Sequence, residues 1–318
     1  MHPPLLSIVM TTYNGEKYLK EQLDSILNQT FQDFTLIISD DNSTDNTINI
    51  IQEYQQKYSC ITLHKNTTSL GSVLNFEKAL QLSQTRYTAL SDQDDIWELN
   101  KLQLQLNAMT KLEKEYPELP LMVHSDLSMI DKDSKESYSS YFKFRSYSLG
   151  EERDLGHILG PCGVMGNTIL INKKLQLSVL PFPSRLKVHD YWIALVAETQ
   201  GKRHTIQETL VKYRIHKNNL SNSEQTLTTT LLSKIKKLFF SRCTPPYINQ
   251  DRESTLEELL ECFSLREFDK NIIKAFLYYL KNPTKNRLKS YMILIKHKII
   301  KKHLFYKIKT AVAIFLCN

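Results

Sequence analysis

The sequence predicts an α/β fold: a mostly parallel sheet flanked by helices, with a basic helical extension at its C-terminal end. Three observations predict it. Over the first 95 residues, strand-like and helix-like segments alternate as β-α-β-α-β-α-β, and strands joined through helices run parallel in one sheet. The first strand is a continuous apolar run rather than an alternating one, the pattern of a strand covered on both faces. The basic residues, finally, gather toward one end. Residues 1–230 carry 23 Lys+Arg and 27 Asp+Glu (23 − 27 = −4), residues 231–318 carry 18 and 7 (18 − 7 = +11), and the two sum to the +7 of the whole chain.

Residues 5–10 form the first strand, followed by the polar turn Thr11-Thr12-Tyr13-Asn14-Gly15. A helix over 16–28 places Leu19, Leu23, Ile26 and Leu27 on one face. Residues 35–39 are the second strand, ending in Asp40-Asp41-Asn42-Ser43. Ser43 or Thr44 is expected to cap the next helix, because a side-chain oxygen accepts from the free N–H groups of a first turn; Ile48, Ile51 and Tyr54 mark that helix. Residues 61–64 are a third strand, 72–82 a third helix and 86–90 a fourth strand. A helix over 101–116, a strand over 121–125, a strand-like stretch at 168–172, a helix over 189–198 and a strand over 206–215 follow. Residues 131–158 have no clean period and read as a loop-rich or short-helical excursion. The expected organisation is a principal domain over 1–225, a linker over 226–250 containing Pro245-Pro246, and a basic helical region over 251–318 with helices at 256–268, 271–280 and 286–315.

Hydrophobic residues at 41% and charged residues at 24% exclude a disordered chain, and 8 glycines exclude a collagen-like one. The five cysteines are scattered and form no CxxC pair, so neither a disulfide framework nor a zinc knuckle is expected and a reducing compartment fits. The run at 5–10 is too short for a signal peptide, and no stretch reaches the roughly 18–20 apolar residues of a membrane span. A mildly acidic body with a basic tail suits an enzyme brought to an anionic surface. No nucleic-acid-binding module is recognisable, and the tail lacks interleaved stacking aromatics, so nucleic acid is not an expected partner.

Ligands of open α/β sheets bind beyond the carboxyl ends of the strands. Three of the first four strands end there in polar clusters, at residues 11–14, 40–43 and 91–95. The last, Ser91-Asp92-Gln93-Asp94-Asp95-Ile96-Trp97, is the strongest signal. Three carboxylates in four residues repel one another unless they are solvated in a surface turn or neutralised by a cation. Hard oxygen ligands of this kind suit Mg²⁺ or Mn²⁺, which keep waters and substrate phosphates as further ligands.

Five segments together resemble the motifs of family 2 glycosyltransferases with the GT-A (Rossmann-like) fold. They are Ile8-Val9-Met10-Thr11-Thr12-Tyr13-Asn14-Gly15, Asp40-Asp41-Asn42-Ser43-Thr44-Asp45, Asp92-Gln93-Asp94-Asp95 in the DQDDxW form, His189-Asp190-Tyr191-Trp192, and Tyr213-Arg214-Ile215-His216-Lys217-Asn218-Asn219. They occur in family order over about residues 5–222, whereas residues 225–318 match no motif of the family. The resemblance implies transfer of a sugar from a nucleotide diphosphate donor with inversion at the anomeric carbon. It places Thr12, Tyr13 and Asn14 at the nucleotide pocket, with Tyr13 equally explained as packing, and Asp41 on the uracil or thymine ring. It puts Asp92 near the ribose, Asp94 on a Mn²⁺ or Mg²⁺ ion with Asp95 assisting through a water, and Arg214 and His216 near the diphosphate. Lys217 stands where many relatives carry Gly, adding charge but removing backbone freedom.

Asp190 is the implied catalytic base. An ordinary Asp, with a pKa of about 3.9, is ionised at neutral pH. A single in-line displacement needs one base, not the two carboxylates of a retaining glycosidase. Asp190 also reads as the N-cap of a helix starting near Tyr191, and the two roles are compatible. On the acceptor side the resemblance places Gly163, in the small-residue turn 160–167, together with His189 and Trp192; packing is an equal reading for His189, and Trp192 packs or stacks on a sugar. Cys162 reads as a buried structural thiol.

The closest-looking group is the rhamnosyltransferase-like enzymes of bacterial surface polysaccharide synthesis. This implies dTDP-L-rhamnose as donor, with UDP-glucose, UDP-galactose or a UDP-N-acetylhexosamine left open. It also implies a lipid-linked saccharide acceptor and work at the cytoplasmic face of the cell membrane. In the tail, Leu288, Met292, Ile295, Ile299 and Ile300 gather near one face while lysines fall elsewhere. Such a helix binds in the plane of an anionic membrane, packs on the catalytic domain, or forms a homodimer contact. A reading from another class is a catalytically silent nucleotide-sugar-binding partner in an assembly complex, against which the intact Asp92, Asp94 and Asp190 argue.

Overall fold

A computed structural model describes residues 3–150, 153–217, 250–282 and 285–300, together with 307, 308, 310, 311, 314 and 315. Its strands are β1 (Leu6–Thr12), β2 (Phe34–Asp40), β3 (Ile61–Lys65), β4 (Tyr87–Ser91), β5 (Ile96–Trp97), β6 (Leu121–Ile130), β7 (Glu136–Tyr138), β8 (Leu170–Asn172) and β9 (Lys202–Arg214). They form one sheet in the order β3-β2-β1-β4-β8-β6-β9-β5, with β7 paired to β6. The first four strands pair in parallel, as do β6 and β9. The short β8 runs antiparallel between β4 and β6, and β5 antiparallel on β9. The mostly parallel sheet flanked by helices is therefore the observed architecture.

The helices are α1 (Leu19–Leu27), α2 (Thr47–Lys57), α3 (Ser72–Leu82), α4 (Lys101–Glu115), the short α5 (Tyr141–Arg145) and α6 (Leu155–Leu159), α7 (Lys173–Val179) and α8 (His189–Gln200). The C-terminal region adds α9 (Gln250–Cys262), α10 (Glu267–Lys281) and α11 (Arg287–Lys296). Successive side chains of β1 show how both faces of the sheet are filled. Ile8 and Met10 join one core with Leu19, Leu23 and Ile26 of α1 and Ile50 and Ile51 of α2. Val9 joins the other with Phe76, Ala79 and Leu80 of α3.

Several boundaries differ from expectation for physical reasons. The cap at Ser43 or Thr44 is not made. Asp45, with its charge, is the stronger acceptor and takes the N–H and hydroxyl of Thr47 at 3.0 and 2.5 Å. Ser43 instead gives its N–H and hydroxyl to Asp40, at 2.8 and 2.6 Å. Strand β6 continues to Ile130 with all ten residues buried. Polar His124, Ser125, Asp126 and Ser128 obscure it in the sequence, and Asp126 finds its partners in Ser140 Oγ and Phe142 N–H. Residues 166–168 are a 3-10 turn, not strand. The break between the first two C-terminal helices falls at residues 263–266. The expected linker over 226–250 lies outside the described residues except for Gln250, which opens α9.

Helix α8 is apolar on every side: its residues 191–199 are all buried. A helix of that kind needs cover all round. The sheet supplies one side and the C-terminal helices supply another, so Leu256, Leu259, Ile272, Ile273, Phe276, Tyr279, Leu294, Ile299 and Ile300 share a core with Tyr191, Trp192 and Leu195. The described C-terminal helices thus pack on the sheet domain. The chain that follows α11 crosses α6 where Gly156 and Gly160 meet the backbone of His297 and Ile299 so closely that a Cβ on either glycine would strike a carbonyl oxygen.

A backbone clash cannot be relieved by a rotamer change. Gly160→Ala should therefore lower stability by about 1–3 kcal/mol, read as a reduced midpoint of urea unfolding with an unchanged slope. An unchanged midpoint would show that the crossing is not tight.

Candidate active site

The polar clusters converge at the carboxyl ends of β1, β2, β4 and β9, joined by the first turn of α8. Asp92, Gln93 and Asp94 are half-buried in the loop between β4 and β5, and Asp95 is fully buried. Burial, with Asp94 and Asp190 nearby, pushes the Asp92 carboxyl up to about 7. Asp95 is raised well above the carboxylate range by burial and by its two neighbouring acids. Both Asp95 oxygens are engaged: Oδ2 accepts from Asn167 Nδ2 at 2.5 Å and Oδ1 from the Arg214 N–H at 3.1 Å. Asp95 is therefore braced beneath the site, with one hydrogen bond on each oxygen.

Arg214 is engaged in the same way. Its side chain is fully buried. Nε donates to the Asp94 carbonyl oxygen at 2.9 Å, Nη1 to Ser134 Oγ at 2.8 Å and Nη2 to Glu21 Oε2 at 2.8 Å, with the guanidinium 4.5 Å from the Tyr18 ring centroid. It fixes the acidic loop instead of reaching toward a diphosphate. His216 does stand at the site: Nε2 lies 2.8 Å from Asp94 Oδ2, and its ring packs on Tyr18 at 4.9 Å.

Asp190 is not the N-cap of α8. The helix starts one residue earlier, with Val188 at the cap position, and Asp190 sits in its first turn. Its Oδ2 accepts from the Gly166 N–H at 3.3 Å. Burial lifts its pKa to about 6, against the opposing pull of the Tyr191 and Gly166 N–H groups and of Arg252. His189 stacks on Phe76 with ring centroids 4.0 Å apart, and burial lowers it to about 4, so it is neutral packing. Trp192 is 2% exposed and donates Nε1 to the Val179 carbonyl at 3.1 Å. It is a core residue, and its acceptor-side assignment is withdrawn. Gly163 adopts φ +87° and lines a cavity of about 200 Å³ that also contains Asp190. Cys162 lines it too, with burial pushing its thiol up to about 12, as a structural thiol requires.

At the β1 end, Tyr13 is 53% exposed and its backbone is held twice by Gln93: the N–H donates to Oε1 at 2.9 Å and the carbonyl accepts from Nε2 at 3.0 Å. Asn14, at φ +47°, gives its N–H to Ser43 Oγ and accepts from the Thr44 N–H. Thr12 is buried and donates to Asp40 Oδ2 at 2.7 Å, so it supports the turn from below. Asp41 accepts from Asn66 Nδ2, Ser69 Oγ and the N–H groups of Leu70 and Gly71, at 2.7–2.9 Å. These four bonds use the roughly four lone-pair sites of a carboxylate and hold its pKa below the ordinary Asp value, burial notwithstanding. A base ring would have to displace one of them.

Sequence reasoning missed Gln93, Glu21, Ser134, Asn167 and Arg252. Gln93 lay inside a recognised motif and was legible. Asn167 closes the small-residue turn 160–167 without standing out there, and it and the others acquire roles only through partners far away in the chain. A larger cavity, of about 580 Å³, opens at the opposite, amino ends of the strands and contains none of these site carboxylates.

The sequence pattern of glycosyl transferase family 2 matches residues 7–166, half of the chain. The chain belongs to glycosyltransferase family 2. This glycosyltransferase is 34% identical over 221 residues to an uncharacterised glycosyltransferase of Methanocaldococcus jannaschii, covering 68% of this chain and 72% of the relative. It is 28% identical over 221 residues to the dTDP-rhamnosyl transferase RfbG of Shigella flexneri (66% and 72% covered). It is 26% identical over 221 residues to WfgD of Escherichia coli (69% and 81% covered), a UDP-Glc:α-D-GlcNAc-diphosphoundecaprenol β-1,3-glucosyltransferase. Its fold is similar to that of Staphylococcus aureus TarS in complex with UDP-GlcNAc, with a TM-score of 0.58 at 18% identity over 97% of this chain and 79% of that one.

Because Arg214 braces the acidic loop, Arg214→Ala should cost about 2–3 kcal/mol through the cavity and the unsatisfied Asp94 carbonyl. Urea unfolding checks the stability, and titration with UDP or dTDP should show at least tenfold weaker nucleotide binding.

Proposed function

We propose that this glycosyltransferase transfers a sugar, with inversion, from a nucleotide diphosphate donor to a hydroxyl of a lipid-linked cell-surface saccharide, using Asp190 as general base and Mn²⁺ or Mg²⁺ on the donor. The carrying observation is the convergence of Asp92, Asp94 and Asp190, close enough for the charges of Asp94 and Asp190 to raise Asp92. Asp190, with its pKa lifted toward neutrality, is a stronger base than an ordinary Asp while still ionised at pH 7. The Gly166 N–H holds one of its oxygens and so orients the other toward an incoming hydroxyl.

Asp94 Oδ2 and His216 Nε2 meet at 2.8 Å, and among the described residues no three His, Cys, Asp or Glu side chains form a metal-holding group. Asp94 would hold a Mn²⁺ or Mg²⁺ ion together with ligands from the donor. When bound, the ion supplies positive charge against the departing diphosphate. Asp94 and Asp92 hold the donor end, the first fixed through its carbonyl by Arg214 and through its carboxylate by His216. Asn14 and Tyr13 border the nucleotide.

Similarity to RfbG favours dTDP-L-rhamnose as donor, and similarity to WfgD favours UDP-glucose as a second reading. Nucleotide release across a donor panel separates them. The tail supports work at a membrane surface: no helix among the described residues is long and apolar enough to cross one. However, α11 leaves Leu288 and Met292 exposed by 67% and 56%, one turn apart, beside exposed Lys285, Lys289 and Lys296. That is the amphipathic pattern of interfacial binding.

Asp94→Ala and Asp190→Asn should each abolish transfer, with donor binding retained in Asp190→Asn by calorimetry. The wild-type kcat/KM should fall about tenfold per pH unit below about 6 as Asp190 takes up its proton; a flat profile from pH 5 to 7 would rule Asp190 out as the base. Full-length protein should float with anionic liposomes, and the Leu288→Ser, Met292→Ser double variant should not. Equal flotation of the two removes the role given to α11.

A further inference from the structure

The cavity beside Asp190 has walls from two parts of the chain. Tyr141 and Tyr147 stand edge to face, their ring centroids 5.7 Å apart, and Gly163 approaches Tyr147 so closely that a Cβ would meet its ring at 2.9 Å. Pro161, Val164 and Val188 are among the other lining residues, and Tyr191 adds a further aromatic wall with Arg252, whose guanidinium lies 5.0 Å from the Tyr191 ring centroid. Arg252 comes from α9, in the C-terminal region that carries no family motif. Its Nη1 donates to the carbonyl oxygens of Leu159, at 2.8 Å, and Gly160, closing the end of α6 and pinning the guanidinium at the cavity. Among the described residues, Asp190 is the one carboxylate lining the cavity and Arg252 the one guanidinium. A second guanidinium, that of Arg145, lies 6.0 and 5.9 Å from the Tyr141 and Tyr147 ring centroids.

Aromatic faces suit a sugar ring, and about 200 Å³ suits one sugar rather than a chain. Arg252 lines the same cavity as Asp190, with its guanidinium over the Tyr191 ring. Planar guanidinium recognition of phosphate or carboxylate is strong and directional.

We infer that this cavity is the acceptor subsite and that Arg252 makes it selective for a sugar carrying an anionic group, a phosphate or a uronic carboxylate, within one ring of the reacting hydroxyl. The inference rests on the transfer reaction proposed above, but its test does not depend on turnover. The C-terminal region thereby contributes acceptor specificity as well as cover for α8.

The experiment is ligand-observed saturation-transfer NMR on full-length protein with saturating UDP or dTDP, so that phosphate cannot occupy the donor end. The probes are N-acetylglucosamine 1-phosphate, glucuronic acid and neutral N-acetylglucosamine. At least one anionic probe should bind at least tenfold more tightly than the neutral sugar, and which one does so distinguishes phosphate from carboxylate. Arg252→Gln should abolish that preference while leaving nucleotide affinity unchanged. Because Arg252 also closes α6, Arg252→Lys is the second variant: it keeps the charge but loses the fork, and should retain the preference with three- to tenfold weaker binding. Equal binding of anionic and neutral probes, binding of none, or a preference that survives Arg252→Gln overturns the inference. Failure to bind nucleotide would instead count against the transfer reaction itself.

Discussion

The site depends on one buried guanidinium. Arg214 closes the end of β9, and its bonds reach the acidic loop, the 131–135 loop through Ser134, and α1 through Glu21. Its own N–H also holds Asp95, which bonds Asn167 in turn. A fully buried cation is stable only when its donors are used; here using them ties the end of β9, the 131–135 loop and α1 to the acidic loop. Asp94 can therefore stay half-exposed without losing position, since its backbone is clamped from beneath.

The same loop shows how environment divides the work among identical side chains. Asp92, Asp94 and Asp95 lie within four residues, yet Asp95 is sealed under two hydrogen bonds, Asp94 faces His216 and Asp92 is lifted by burial and by its acidic neighbours. Asp190 is raised by burial from across the cleft. Acids pushed apart in this way take different chemical roles.

Much of this was legible in the sequence. The parallel order of the first four strands follows from their alternation with helices, and helix 72–82 was placed to the residue. The loop positions of Asp92 and Asp94 follow from a strand end, and the position of Asp190 at a helix start from motif spacing. What was not legible depends on partners remote in the chain. Arg214 looks like a phosphate ligand until Glu21, 193 residues earlier, is seen beside it. Trp192 looks like a sugar platform until the C-terminal helices are seen to cover it. Sequence left the tail open between membrane binding, packing and a dimer contact, because the inward placement of Leu256, Ile273 and Phe276 depends on α8 far back in the chain.

The crossing at Gly156 and Gly160 bears on the order in which the chain becomes competent during synthesis. Domains fold as units as they leave the ribosome, but here α8, which carries Asp190, has part of its cover in residues near 256, 276 and 299. The five motifs are all translated before any of that cover exists. Until the C-terminal helices close over α8, its apolar face lacks part of the cover it has in the folded chain. A nascent chain that already holds all five motifs is thus still without the finished environment of α8.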